Sequence, residues 1–288
     1  EEDLNAAIFS GLNPNITGHK AQTPLHVAAA LNKLDISNTL SVNATAQDGV
    51  TPLHVASQNG NEEIVACLIK NKAKIESVDK LGRTALHWVA VAPKENAIVN
   101  ELLSAKVNVN ALDNEKRSAL HLAAMEGKLL TVASLLSHKG KAGAKDKNGS
   151  TPMHYAAAGG HVGIVSALLQ AQKKKGLEER NTWKKTALHI AAEKGHSNVV
   201  TLLLETGAKI NSKDQNKDTP LHSAVRGGHQ EVVRTLVEWG QGSSQKKRAD
   251  FQATNSVGKT ALQLAQNGDT QEHESIATLL KKKMLLVK

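Results

Sequence analysis

The chain is 288 residues long, and its apolar content is mostly Ala, Leu, Val and Ile, with only two Phe, one Tyr and three Trp; side chains of this kind favour closely packed helices. Its single cysteine, Cys67, excludes an internal disulfide framework, and no apolar run approaches the roughly 20 residues of a membrane span. The net charge of +9 lies wholly in the second half: residues 1–144 hold 14 basic and 14 acidic side chains, residues 145–288 hold 22 and 13, which bears on partners rather than on fold.

The opening stretch EEDLNAAIFSG is acidic and amphipathic, without the basic start and apolar block of a secretory leader. A short helix is expected over residues 3–9, followed by the link Gly11-Leu-Asn-Pro-Asn15. Residues 1–22 therefore read as a partial leading unit whose acidic face suits the end of an array.

One phrase then recurs, as TPLHVAA, TALHWVA, SALHLAA, TPMHYAA and their variants. It begins at Thr23, Thr51, Thr84, Ser118, Thr151, Thr186, Thr219 and Thr260, at intervals of 28, 33, 34, 33, 35, 33 and 41 residues. A fixed period of this length signals stacked repeats. The Thr or Ser hydroxyl is placed to cap a helix start, and Pro24, Pro52, Pro152 and Pro220 suit the first turn, where a missing N–H costs nothing. Leu and the Ala pair predict a short, thin helix that ends at Gly160-His161, Gly195-His196 and Gly228-His229. A second helix follows, with apolar pairs such as Val199-Val200 and Leu203-Leu204 on one face. Tips of the form Asp79-Lys-Leu-Gly82 and Asp146-Lys-Asn-Gly149 read as turns.

The pattern also breaks. The first unit has Asn32-Lys33 and the third has Pro93-Lys94 where others have Gly-His, and these positions are expected to loosen the stack. Insertions fall at 172–180 and 241–250. The last unit replaces the repeat His by Gln263 and ends in an apolar tail, which either folds back on the last helices or is covered by a further unit.

Taken together, Thr-Pro-Leu-His-x-Ala-Ala, Gly-His, Val-Val-x-x-Leu-Leu and Gly-Ala-x-x-Asn at this period resemble the ankyrin repeat over nearly the whole chain. The resemblance implies an all-α solenoid with β-turn fingers, about eight repeats plus the partial N-terminal unit in one domain over 1–288. Fingers and first helices would line a concave binding surface.

Thirteen histidines invite a metal or catalytic reading. His26, His54, His87, His121, His154, His189 and His222 recur once per repeat, however, so they lack convergent ligand geometry and are expected to bond backbone. Cys67 lies on an apolar helix face, as a small core residue does. The carboxylates scatter, and neither a phosphate loop nor a nucleophile elbow is present. No catalytic residue, metal, cofactor or small-molecule substrate is expected. Trp88 and Tyr155 follow the repeat His in an inward slot and are assigned to the core. Trp183 sits in a tip and either packs under the preceding insertion or anchors a partner, while Trp239 is expected under the longest insertion.

The resemblance makes finger tips and variable first-helix positions the contact candidates: Arg83, Arg117, Met125, Lys147, Trp183, Lys185, Lys194 and Arg226, beside tip residues such as Lys80, Leu81, Asn114 and Asn216. Basic clusters add Lys173, Lys174, Lys175, Lys184, Lys246, Lys247 and Arg248, which read either as a solvated face or as a patch for an acidic partner. The expected function is a non-enzymatic scaffold that binds a protein with an acidic surface. Direct binding of nucleic acid or anionic lipid is the rival. A third reading is a targeting or regulatory arm of a longer protein, for example a bacterial effector acting in a host cytosol. One cysteine fits a reducing, cytoplasmic setting, and Lys246-Lys247-Arg248 is too short a run to specify nuclear import.

Overall fold

The computed structural model describes residues 24–31, 41–95, 97–173, 175–240 and 248–286. The expected leading unit, the Asn32-Lys33 break, Lys174, Lys246 and Lys247 lie outside them. The chain divides into two compact units, Glu1–Lys141 and Ala142–Lys288. Among the described residues there are α-helices, one 3-10 turn and no strands.

In unit 1 the helices are α1 (Pro24–Leu31), α2 (Pro52–Asn59), α3 (Glu62–Lys70), α4 (Ala85–Ala90), α5 (Ile98–Ser104), α6 (Ala119–Met125) and α7 (Leu129–Ser137). From the second repeat on, each begins with a short first helix that packs on its own second helix: α2 on α3, α4 on α5, α6 on α7. First helices also stack in a row, α1–α2–α4–α6, and second helices in another, α3–α5–α7.

Unit 2 repeats the plan with α8 (Pro152–Gly159), α9 (Val162–Ala171), α10 (Ala187–Lys194), α11 (Ser197–Thr206), α12 (Pro220–Arg226), α13 (Gln230–Glu238), α14 (Ala261–Gln266) and α15 (Gln271–Leu286). Its rows are α8–α10–α12–α14 and α9–α11–α13–α15.

The sequence dictates these elements locally. Thr51, Thr84, Ser118, Thr151, Thr186, Thr219 and Thr260 are the N-caps, each closing a capping box with the residue three places on. The phrase's third letter is buried throughout: Leu53, Leu86, Leu120, Met153, Leu188 and Leu221 are at most 2 % exposed, each contributing about 1.5–3 kcal/mol of burial. Ala pairs such as Ala123-Ala124 and Ala191-Ala192 are equally buried, which lets first helices approach closely. Gly160 and Gly195 end α8 and α10 in the left-handed region (φ 71° and 81°). A Cβ on Gly195 would also lie 2.5 Å from the His229 ring of the next repeat, so both backbone and neighbour demand glycine there.

The Pro93-Lys94 break shortens α4 to six residues, and contacts from outside the Gly-His pattern hold the region. Glu95 accepts the Thr131 N–H at 3.1 Å, and the Lys128 ammonium donates to Pro93 O at 3.0 Å. The 172–180 insertion forms the 3-10 turn Lys175–Glu178, which buries Leu177. The apolar tail does not fold back. It continues α15 with Leu285 and Leu286 each 72 % exposed, because the helix has no breaker before its end.

Candidate binding surface

The repeat histidines join each repeat to the next. In α2 the Nδ1 of His54 accepts the Thr51 backbone N–H at 3.1 Å, so the ring proton must sit on Nε2. That Nε2–H donates to Arg83 O, 29 residues later, at 2.8 Å. The same step recurs as His26 to Val50 O, His87 to Arg117 O, His154 to Lys185 O, His189 to Asp218 O and His222 to Lys259 O, at 2.7–3.1 Å. Burial holds these six imidazoles below the ordinary 6.5, and the carbonyl that each meets offsets this only in part. The Gly-His rings reach backwards instead: His196 Nε2 to Ala158 O at 2.9 Å and His229 Nε2 to Glu193 O at 2.8 Å. Among the described residues no group of three His, Cys, Asp or Glu is placed to hold a metal ion. Cys67 is half-buried, with the Asn71 amide 3.4 Å from its sulfur.

Between one repeat's second helix and the next repeat's first, the chain makes a finger built around one carboxylate or amide. Asp79 Oδ1 accepts the backbone N–H of Leu81 and of Arg83, both at 2.9 Å. Asp113, Asp146, Asn181, Asp214 and Asn255 brace their own fingers with the same two bonds, to the residues two and four places on. The second oxygen of Asp79 takes Arg83 Nε at 2.7 Å and Trp88 Nε1 at 3.0 Å. Burial opposes ionisation of Asp79, but these donors outweigh it and leave its pKa below the ordinary value.

Successive fingers are tied at their tips by one backbone bond each. In unit 1 Lys80 N donates to Asp48 O and Asn114 N to Leu81 O, at 2.8 and 2.9 Å. In unit 2 Thr182 N donates to Asn148 O, Gln215 N to Trp183 O and Ser256 N to Asn216 O, at 2.8–3.0 Å. The four unit-2 tips, 147–149, 182–184, 215–217 and 256–258, thus form one continuous edge, and it contains three lysines and no carboxylate.

A sequence model built from tandem ankyrin repeats matches this chain in overlapping windows, 2–79, 25–113, 67–142, 89–178, 120–214, 173–247 and 207–285. The chain belongs to the ankyrin-repeat family. The helical pairs and braced turns of each unit are therefore ankyrin repeats, and such repeats are in general protein–protein interaction modules.

Within this ankyrin framework the expected contact residues part company. Arg83 and Arg117 pair with the finger carboxylates Asp79 and Asp113 at 2.7 and 2.9 Å, and Arg83 also lies 5.0 Å from the Trp88 ring centroid. Lys185 pairs with Glu193, and Arg226 with Asp218 at 2.6 Å. Lys147, Lys184 and Lys194 are exposed, and Met125 is half-buried. Trp183 is 50 % exposed at its tip, and the buried side chain of the insertion is Leu177. Lys173 and Lys175 are exposed where α9 passes into the 3-10 turn. Arg248 is half-buried, and its carbonyl accepts from Asn211 at 2.8 Å.

Trp88 and Tyr155 are not core residues, as the inward slot suggested. Both are half-buried, because each carries a donor that reaches the Asp of its own finger: Trp88 to Asp79, Tyr155 to Asp146. Trp239 is likewise half-buried. Three exposed tip residues escaped the sequence reading: Lys217, Val257 and Lys259. Aligning the fingers on their Asp or Asn brace would have found them, since Lys217 then falls in register with Lys184, and Lys259 with Lys185.

Proposed function

We propose that the chain is a non-enzymatic scaffold that binds a protein with an acidic face along the finger edge of unit 2. One observation carries this reading. The repeated letters are taken up in bonds within and between repeats, whereas the variable tip letters are exposed and, in unit 2, cationic with no carboxylate among them. A pre-formed edge of this kind loses little conformational entropy on binding. The same reading treats residues 1–288 as one functional domain working in a reducing, intracellular compartment.

Affinity capture with mass spectrometry tests it, comparing the wild type with a Lys184→Glu, Lys217→Glu variant. These side chains are exposed, so the fold should persist, as circular dichroism will show. The expected outcome is loss of the captured partner from the variant. An identical partner set from both proteins refutes the assignment. Nucleic acid is the less favoured ligand because Trp183 is the single aromatic in the four tips, which gives one stacking platform rather than a row.

A further inference from the structure

Among the described residues, seven non-glycine residues adopt positive φ, and all seven are lysines: Lys72, Lys106, Lys116, Lys139, Lys173, Lys184 and Lys217. An L side chain in the left-handed region is disfavoured relative to glycine, so each position calls for a reason. The seven fall into two sets. Lys72, Lys106, Lys139 and Lys173 stand just past the ends of α3, α5, α7 and α9. There a cation meets the negative end of the helix dipole, and local physics accounts for it.

Lys116, Lys184 and Lys217 have no such excuse. They occupy the finger position that Gly82, Gly149 and Gly258 fill elsewhere. Each lies three residues before a helix start, at Ala119, Ala187 and Pro220, where the dipole is positive and repels a cation. Backbone preference therefore opposes lysine at all three positions, and at Lys184 no carboxylate of its own finger offsets the dipole, whereas Lys217 stands beside Asp218. In unit 1 Lys116 at least follows Glu115 in its own tip. In unit 2 the tips hold no carboxylate, and neither Lys184 nor Lys217 makes an ion pair with a described residue.

We propose that Lys184 and Lys217 are kept at the unit-2 tips, against local stability, because their charge binds an extended acidic segment of the partner. The segment crosses the tips along the edge that the backbone ladder creates, with Trp183 and Val257, 50 % and 71 % exposed, as its apolar anchors. An edge of tips set one per repeat suits an extended chain, which can present one side chain to each finger. The proposal rests on the scaffold reading above.

The test is a titration of the full chain, by fluorescence anisotropy at low salt, with a labelled peptide of roughly 12 Glu and Asp residues around one Leu, long enough when extended to cross several fingers. The variant Lys184→Gly/Lys217→Gly removes the charge and relieves the backbone together. It is expected to raise the urea midpoint while weakening the peptide about tenfold. A Lys106→Gly/Lys139→Gly control relieves two helix-end positions and should leave the affinity within about twofold. Trp183→Ala should weaken the peptide as well. Three outcomes overturn the proposal: no peptide binding by the wild type, unchanged affinity in the tip variant, or tighter binding of an oligonucleotide of equal charge. A lowered urea midpoint overturns the claim that these lysines oppose stability. The scaffold reading fails separately, if affinity capture retains no partner.

Discussion

His189 and Gln263 fill the same slot. Each accepts the backbone N–H of the cap threonine three residues before it, at 3.3 and 2.9 Å. The imidazole also donates across to the next finger, at Asp218 O, whereas no finger follows Gln263 among the described residues. His189→Gln should therefore keep the cap and lose one inter-repeat bond, at a cost of about 1 kcal/mol. His189→Ala loses both and leaves a void, for roughly 2–4 kcal/mol. Urea unfolding of the two variants checks the ranking, and equal losses would mean that the cross-repeat bond contributes nothing. At the same scale Lys217→Gly alone is expected to gain about 1 kcal/mol.

The finger is the element that separates architecture from recognition. Its base is fixed by one braced carboxylate or amide, and its tip is held by one backbone bond to the neighbouring finger. Removing a brace should loosen its own turn before anything else. Asp214→Ala gives up the Asn216 and Asp218 amide bonds, for roughly 1–3 kcal/mol, and amide exchange at those two residues should rise. Asp79→Ala should cost more, because Asp79 also holds Arg83 Nε and Trp88 Nε1. Similar exchange in both variants would contradict the role given to these extra bonds. The carboxylate brace was half legible in the sequence: Asp-x-x-Gly announces a turn, but the bonds to residues two and four places on, and their survival with Asn181 and Asn255, emerge only from the folded finger.

At the scale of the whole molecule, many small identical contacts respond together. Three neutral imidazoles in each unit, His26, His54 and His87, then His154, His189 and His222, have folded pKa values below 6.5. Between those depressed values and 6.5 the unfolded chain binds more protons than the folded one. Their contribution to stability is thus fully present above that window and is lost as pH falls through it. Glu101, raised by burial and by Glu62, acts weakly in the opposite sense. Urea midpoints should drop steeply below about pH 6.5, and six His in a chain otherwise intact make the drop larger than any single His→Gln variant can abolish. Nearest-neighbour stacking adds a second expectation within unit 2. Deleting residues 260–288 strips α14 from α12 and α15 from α13, so amide exchange should rise in α12 and α13 well before α8 and α9.

The sequence by itself determined the repeat, the paired helices, their caps and the structural place of the histidines. The helices and caps follow from letters three or four residues apart, whose hydrogen bonds close within a turn, and the repeat and its histidines from recurrence at one period. It could not rank the cations. Arg83, Arg117, Lys185 and Arg226 are engaged by carboxylates of the finger or of the helix beyond it, while Lys184 and Lys217 stay exposed. That distinction depends on which side chains folding carries to one another, Lys185 to Glu193 and Arg226 to Asp218, each eight residues apart. The left-handed backbone under the tip lysines was hidden for the same reason: it is imposed by the braced finger, not by lysine's own preference, and only the tertiary structure reveals it.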